Sequence, residues 1–189
     1  MRRMLAVVLG ISLAAMACAQ EGRNSKGKDE SMKDFSAKNL VNANFEEANC
    51  FNTKFVGSRL TGANFKKAEC ESANFKDAIC NGADFRGAHL KYAQFLRTKL
   101  QKANFEGVDL KNMFWLDCDL REANLKNTKG HRDMNRADLR KAKLQGADFL
   151  NAKNLETAQF QGAEYDDDTA WPTNFDPKEA GAVLVKAKK

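Results

Sequence analysis

Apolar and polar positions along this chain recur with a period of five. From Leu40 to Leu125 every fifth residue is a large apolar residue or a cysteine, 18 times in succession without a slip. Aromatic rings take alternate turns of this rhythm, at Phe45, Phe55, Phe65, Phe75, Phe85, Phe95, Phe105 and Trp115, and leucine or cysteine fills those between. Two residues before each inward position sits a small residue, usually alanine. The other three of each five are polar or charged. A helix face recurs at about 3.6 residues and a strand face at about 2, so neither element keeps these side chains on one face. The pattern requires a chain that turns regularly and points each fifth residue at one axis: a solenoid with a filled core.

The unit has the form Ala-Asn/Asp-Leu/Phe, as in Ala63-Asn64-Phe65, Ala83-Asp84-Phe85 and Ala123-Asn124-Leu125. Across residues 34–165 this resembles the pentapeptide repeat family. The resemblance implies an all-β fold, a right-handed quadrilateral β-helix with four repeats to each square coil and about six coils in all. Residues twenty apart then stack. Phe45, Phe65, Phe85 and Phe105 form one ladder, Phe55, Phe75, Phe95 and Trp115 a second, and the leucines and cysteines fill the other two walls. Cys50 and Cys70 become stacked neighbours, and a disulfide between them stays open, since its Cβ separation of about 3.5–4.5 Å is shorter than the coil spacing.

The rhythm is disturbed in three places. Met113 is large where alanine is expected, and Phe114 should face outward, either on a local bulge or as an exposed aromatic surface for a partner. After Leu125 the phase slips by one residue through a polar, basic stretch with Lys129, Gly130, His131 and Arg132, which we read as a distorted corner or loop able to carry binding groups. A second slip near Asn154-Leu155 adds a residue.

The ends differ from the middle. Residues 1–17 read as a signal peptide, with Arg2 and Arg3 ahead of an apolar run from Leu5 to Ala17. Two exits compete. Ala14-Ala15-Met16-Ala17-Cys18 has lipobox character, which would make Cys18 the lipidated first residue; Ala17-Cys18-Ala19 fits ordinary cleavage before Gln20. Residues 18–33 read as a flexible tether. Residues 166–189 form a cap and tail. Asp176 and Pro177 suit the N-cap and first position of a short helix over about 177–185, and Trp171 and Phe175 are placed to plug the end of the core.

Composition narrows the function classes. The net charge is +6, mixed in sign, and there are only two histidines among 189 residues. No phosphate-binding loop, nucleophile elbow, zinc motif or Cys/His metal spacing occurs. The sequence therefore points to a non-enzymatic structural or protein-interaction solenoid of the cell envelope. It would be an outer-membrane lipoprotein or soluble in the periplasm, with no cofactor and no metal. Expected partners are an envelope protein and, through the lipid, the membrane; a homodimer is also open, and no nucleic acid is expected. Two alternatives are weighed. One is a DNA mimic that binds gyrase, as quinolone-resistance members of the resembled family do, which export and positive charge oppose. The other is a carbohydrate-active enzyme on a β-helix wall, as in lyases with longer coils.

Overall fold

The structure, a computed structural model, describes residues 22–130 and 133–186. The fold begins with a hydrogen bond inside those repeats that carry Asn or Asp before the inward residue. The Asn or Asp before the inward residue turns its Oδ1 onto the N–H two residues on: Asn44 accepts from Glu46 at 3.0 Å, Asn64 from Lys66 at 3.0 Å and Asn74 from Lys76 at 2.9 Å. Such Asx contacts start turns. Two residues past the inward position the backbone is left-handed, with φ of 55° at Asn42 and 57° at Glu47, and the turn closes with Ala43 N–H donating to the Leu40 carbonyl at 3.0 Å. Each repeat thus makes a corner, and four corners close a square.

Between corners the backbone pairs with the coil above. Phe45 N–H donates to Asn64 C=O at 2.7 Å, and Asn64 N–H returns to Ala43 C=O at 2.9 Å. All bridges are parallel. On one wall the chain is joined in turn through Asn24, Asn44, Asn64, Asp84, Asn104, Asn124, Lys143, Glu164 and Val183. The last step pairs β1 (Glu164–Tyr165) with β2 (Val183–Leu184).

This pairing sets the core. Rings twenty residues apart lie nearly parallel, 4.9 Å apart for Phe45–Phe65, 5.0 Å for Phe65–Phe85 and 4.6 Å for Phe75–Phe95. Rings of the two ladders meet edge to face, as Phe65–Phe75 do at 5.5 Å and 85°. Both geometries are favoured by the ring quadrupole. Polar residues in the small inward slots are satisfied either within their own turn, as at Ser58 and Thr128, or from the coil below. Thr53 Oγ1 donates to Glu30 C=O and Thr98 Oγ1 to Phe75 C=O, each at 2.8 Å, and Cys118 Sγ points at Phe95 C=O. The four described cysteines are buried free thiols. A hydrogen bond with Cys50, with burial, pushes the Cys70 thiol well up, and burial above all, with neighbouring negative charge, pushes up Cys80 and Cys118, so these are core filler rather than nucleophiles.

Several expectations need correction. Residues 22–33 are not a tether: Asn24 and Asp29 bridge to Asn44 and Asn49, so the solenoid extends below residue 34. Backbone pairing does not need an apolar inward side chain if the polar one is satisfied. Ser25 and Glu30 occupy the inward positions here, and Glu30 is 1% exposed. Its carboxylate accepts from Ser25 Oγ at 2.6 Å, Lys33 Nζ at 2.8 Å and Arg23 Nη2 at 2.9 Å, while the Arg23 guanidinium lies 4.9 Å over the Phe35 ring. An ionic lid closes this end of the ring stack. Cys50 and Cys70 are not bridged.

The helix expected over 177–185 also does not form. Asp176 Oδ1 accepts from Lys178 N–H at 2.8 Å, but the chain leaves after one turn at Gly181, whose φ is 86°. The open coil edge competes successfully for the backbone: Val183 N–H donates to Ala163 C=O at 2.7 Å and Val185 N–H to Tyr165 C=O at 2.8 Å. Beneath this, Trp171 lies flat on Phe149 at 4.7 Å, with Phe175 packed on it at 5.2 Å. The phase slips appear as register changes, with Asp119 bridged to Asp138 and Asp138 to Gln159, and the second is absorbed by a 3₁₀ turn at Leu155–Thr157. The signal peptide, Cys18, His131 and Arg132 lie outside the described residues.

Two measurements check this account. Phe65→Ala removes a ring with no exposed surface and should cost about 3–5 kcal/mol in equilibrium unfolding, against under about 1.5 kcal/mol for Phe65→Leu. The second concerns Glu30. Burial pushes its carboxyl up, but hydrogen bonds from Lys33, Ser25 and Arg23 outweigh it and hold the group at about 2 against an ordinary 4.5. A depressed folded value stabilises above the unfolded one and is lost as pH falls through the folded one. The stability lead of wild type over Glu30→Gln, on the order of 3 kcal/mol, should therefore shrink between about pH 4.5 and pH 2 in melting experiments.

Candidate interaction site: a break in the wall

On this wall Glu69 is bridged to His89 and Asp109 to Lys129, but, among the described residues, His89 and Asp109 are not bridged, nor, higher up, are Lys129 and Asp148. Among the described residues the missing contacts can be named from the repeat. One coil lower, Cys70 N–H donates to His89 C=O, Ser72 N–H to Lys91 C=O and His89 N–H to Ala68 C=O. The equivalent bonds from Leu90 to Asp109, Tyr92 to Lys111 and Asp109 to Ala88 are absent, as is that from Gly87 to Glu106. The wall closes again at Phe85 N–H to Asn104 C=O, 2.8 Å, and Phe95 N–H to Phe114 C=O, 2.9 Å.

Apolar bulk without a hydrogen-bond donor accounts for the break. Val108 and Met113 fill slots that hold alanine in most repeats, and both are 2% exposed. Extra methyl groups in a close-packed slot move the backbone rather than compress. The ring stack records the displacement: Phe95–Trp115 is 5.6 Å and tilted by 30°, wider than the phenylalanine pairs below. The buried indole N–H of Trp115 finds no acceptor.

The opening is a groove of about 570 Å³ lined by Glu71, His89, Lys91, Asp109, Lys111 and Asn112. Round the corner it meets a second groove of about 790 Å³ that shares Lys111 and Asn112 and is flanked by Tyr92 and Phe114. Phe114 is 55% and Tyr92 45% exposed. His89 Nδ1 lies 2.7 Å from Glu69 Oε2, an exposed contact on the wall below the groove.

The structure places the residues singled out in sequence at three levels. The eight ring positions are in the core at 0–1% exposure. Trp171, Phe175, Asp176 and Pro177 belong to the C-terminal end. Of the partner surface, Phe114 lines the second groove, and Gly130, next to the exposed Lys129, lines it too. A Cβ at Gly130 would come within 2.4 Å of Lys111 Cγ, and φ is 76°, so this tight corner requires glycine. Sequence reasoning missed Tyr92, which joins Phe114; its signal was an aromatic ring at an outward turn position. It also missed Val108, where the departure from alanine is only two methyl groups.

Comparison with known proteins agrees with the repeat. A family model described as a pentapeptide repeat region matches residues 34–105, and one for pentapeptide repeats in eight copies matches 98–129 and 133–164. No curated protein matches. Among solved structures, HetL, a pentapeptide repeat protein involved in heterocyst differentiation regulation from the cyanobacterium Nostoc, is 22% identical over 85% of this chain and 71% of its own, with a TM-score of 0.46. QnrB1, a plasmid-mediated fluoroquinolone resistance protein, is 23% identical over 86% of each chain, TM-score 0.38. A pentapeptide repeat protein of the Arabidopsis thaliana thylakoid lumen is 22% identical over 72% of this chain and 71% of its own, TM-score 0.29.

The break predicts local exchange behaviour. Amide hydrogens of Leu90 and Tyr92 should exchange at least about tenfold faster than those of Cys70 and Ser72, their equivalents one coil below. Residue-resolved exchange measured by NMR checks this.

Proposed function

Because the chain belongs to the pentapeptide repeat family, whose fold is a right-handed quadrilateral β-helix, we propose that it is a non-enzymatic interaction module: a stiff square rod that presents one contact patch. The observation that carries this reading is the pair of exposed rings, Phe114 and Tyr92, beside a break where regular wall gives way to grooves. Apolar rings gathered at a concavity mark contact sites more often than rings scattered singly. The stacked core supports the rod's stiffness, since opening any coil breaks ring contacts and ladder bonds together.

The module works in the cell envelope. Arg2, Arg3 and the apolar run to Ala17 support export, and Ala14-Ala15-Met16-Ala17-Cys18 supports a lipid on Cys18. With the first coil beginning near Gly22, a chain from Cys18 spans at most about 14 Å, so the rod would stand close to the membrane rather than on a long tether.

Photocrosslinking tests the patch. Benzoylphenylalanine at position 114 should capture a discrete envelope protein in intact cells, and the same group at Lys102, on the opposite corner, should not. Equal capture from both positions overturns the reading. Phe114→Ser should abolish that protein's association while changing stability by under about 0.5 kcal/mol. For location, mass spectrometry should find a lipid-modified Cys18 at the mature N-terminus; an unmodified start at Gln20 contradicts the anchor.

A further inference from the structure

The break leaves main-chain groups, not only side chains, without partners. Along the lower lip these are the N–H groups of Gly87, Leu90 and Tyr92 and the carbonyl of Ala88; along the upper lip they are the Asp109 N–H and the carbonyls facing the lower donors. We propose that the break is a strand-addition site for an extended polypeptide segment of a partner, which pairs its backbone with these lips and lays an apolar side chain against Phe114 and Tyr92. This rests on the interaction-module reading and assigns it a ligand chemistry.

Three observations favour a polypeptide. The freed groups include both backbone donors and backbone acceptors, which a peptide backbone can complement, whereas a phosphate or carboxylate takes donors only. The groove charges balance: Lys91 and Lys111 face Glu71 and Asp109, so no net field selects an anion. The two grooves share Lys111 and Asn112, so they form one continuous depression rather than a closed pocket. Volumes of about 570 and 790 Å³ suit a few residues in extended form. Unpaired backbone groups at a protein surface are satisfied by water at little cost, so the free protein tolerates the break, and a peptide strand replaces that water with fixed partners.

The test uses the full chain and a phage-displayed library of random dodecapeptides. Selected peptides should slow amide exchange at Leu90 and Tyr92 while leaving Cys70 and Ser72 unchanged. N-methylating alternate amides of a selected peptide should weaken binding at least about tenfold, the loss expected for removed backbone hydrogen bonds. Val108→Ala with Met113→Ala restores small slots, should close the lips, and should weaken binding by a similar factor without lowering the melting temperature by more than a few degrees. Peptides that protect no amide between 87 and 92, or that bind equally well when N-methylated, overturn the proposal. So does protection of those amides by soluble peptidoglycan fragments in the absence of any selected peptide. If Phe114→Ser abolishes envelope capture while the lip amides never respond to peptide, the interaction module stands and strand addition falls. If capture at position 114 also fails, both fall.

Discussion

One length governs this molecule: the rise from coil to coil. It must serve the parallel hydrogen bonds of the wall, which want strands about 4.8 Å apart, and the phenylalanine ladders of the interior, whose centroids stand 4.6–5.0 Å apart in the regular region. The two demands coincide, so each coil that docks satisfies backbone and ring together. Corners locked by Asx hydrogen bonds let the chain repeat this without helices or long strands. The cost is a left-handed residue at nearly every corner. Glycine bears it at some corners, as at Gly62 and Gly82, but residues such as Glu47, Lys67 and Arg97 bear it at others, at about 1–2 kcal/mol each. The ladder bonds and ring stacks offset that strain.

The same constraint explains the break. A wall that depends on one spacing responds to any side chain too large for its slot. Thr53, Thr98 and Cys118 are larger than alanine, yet they are accommodated because each turns its donor onto a carbonyl of the coil below. Val108 and Met113 have no such donor, and the coil lifts off between Gly87 and Tyr92. Closure at Phe85 and Phe95 confines the lift: Phe85 and Phe105 keep a ring spacing of 4.8 Å, while Phe95 and Trp115 yield to 5.6 Å. The outcome is a groove on a stiff support, which is how repeat scaffolds commonly present binding groups.

Much of the fold was legible because the inward residue, the slot and the Asx position repeat with one period, so each coil repeats the same evidence. The inward positions of Phe45 to Phe105 and Phe55 to Trp115 follow from that period, and their stacking twenty residues apart from the square coil that the family resemblance implies. What was not legible lies where polar chemistry substitutes for apolar chemistry or where tertiary pairing overrides local preference. Asn24, Asp29 and Asp34 keep the Asx rhythm, with Gly22 and Gly27 at the left-handed corners; hydrophobicity hides this because Ser25 and Glu30 stand inward. At the other end Asp176-Pro177 starts a helical turn as its sequence prefers, but the unpaired edge of β1 claims Val183 and Leu184. The site was half legible. Phe114 betrayed itself by facing outward, whereas the freed backbone groups depend on a spacing that no single residue displays.

The claim that the hydrogen-bonded wall lifts between Phe85 and Phe95, while the rings at both positions stay in the core, can be read from scalar couplings transmitted through hydrogen bonds. In a deuterated, isotope-labelled sample, couplings should appear from Phe85 N to Asn104 C′ and from Phe95 N to Phe114 C′. None should appear from Leu90 N to Asp109 C′. A coupling across Leu90 and Asp109 would mean that the wall is closed there, and the account of the break would be contradicted.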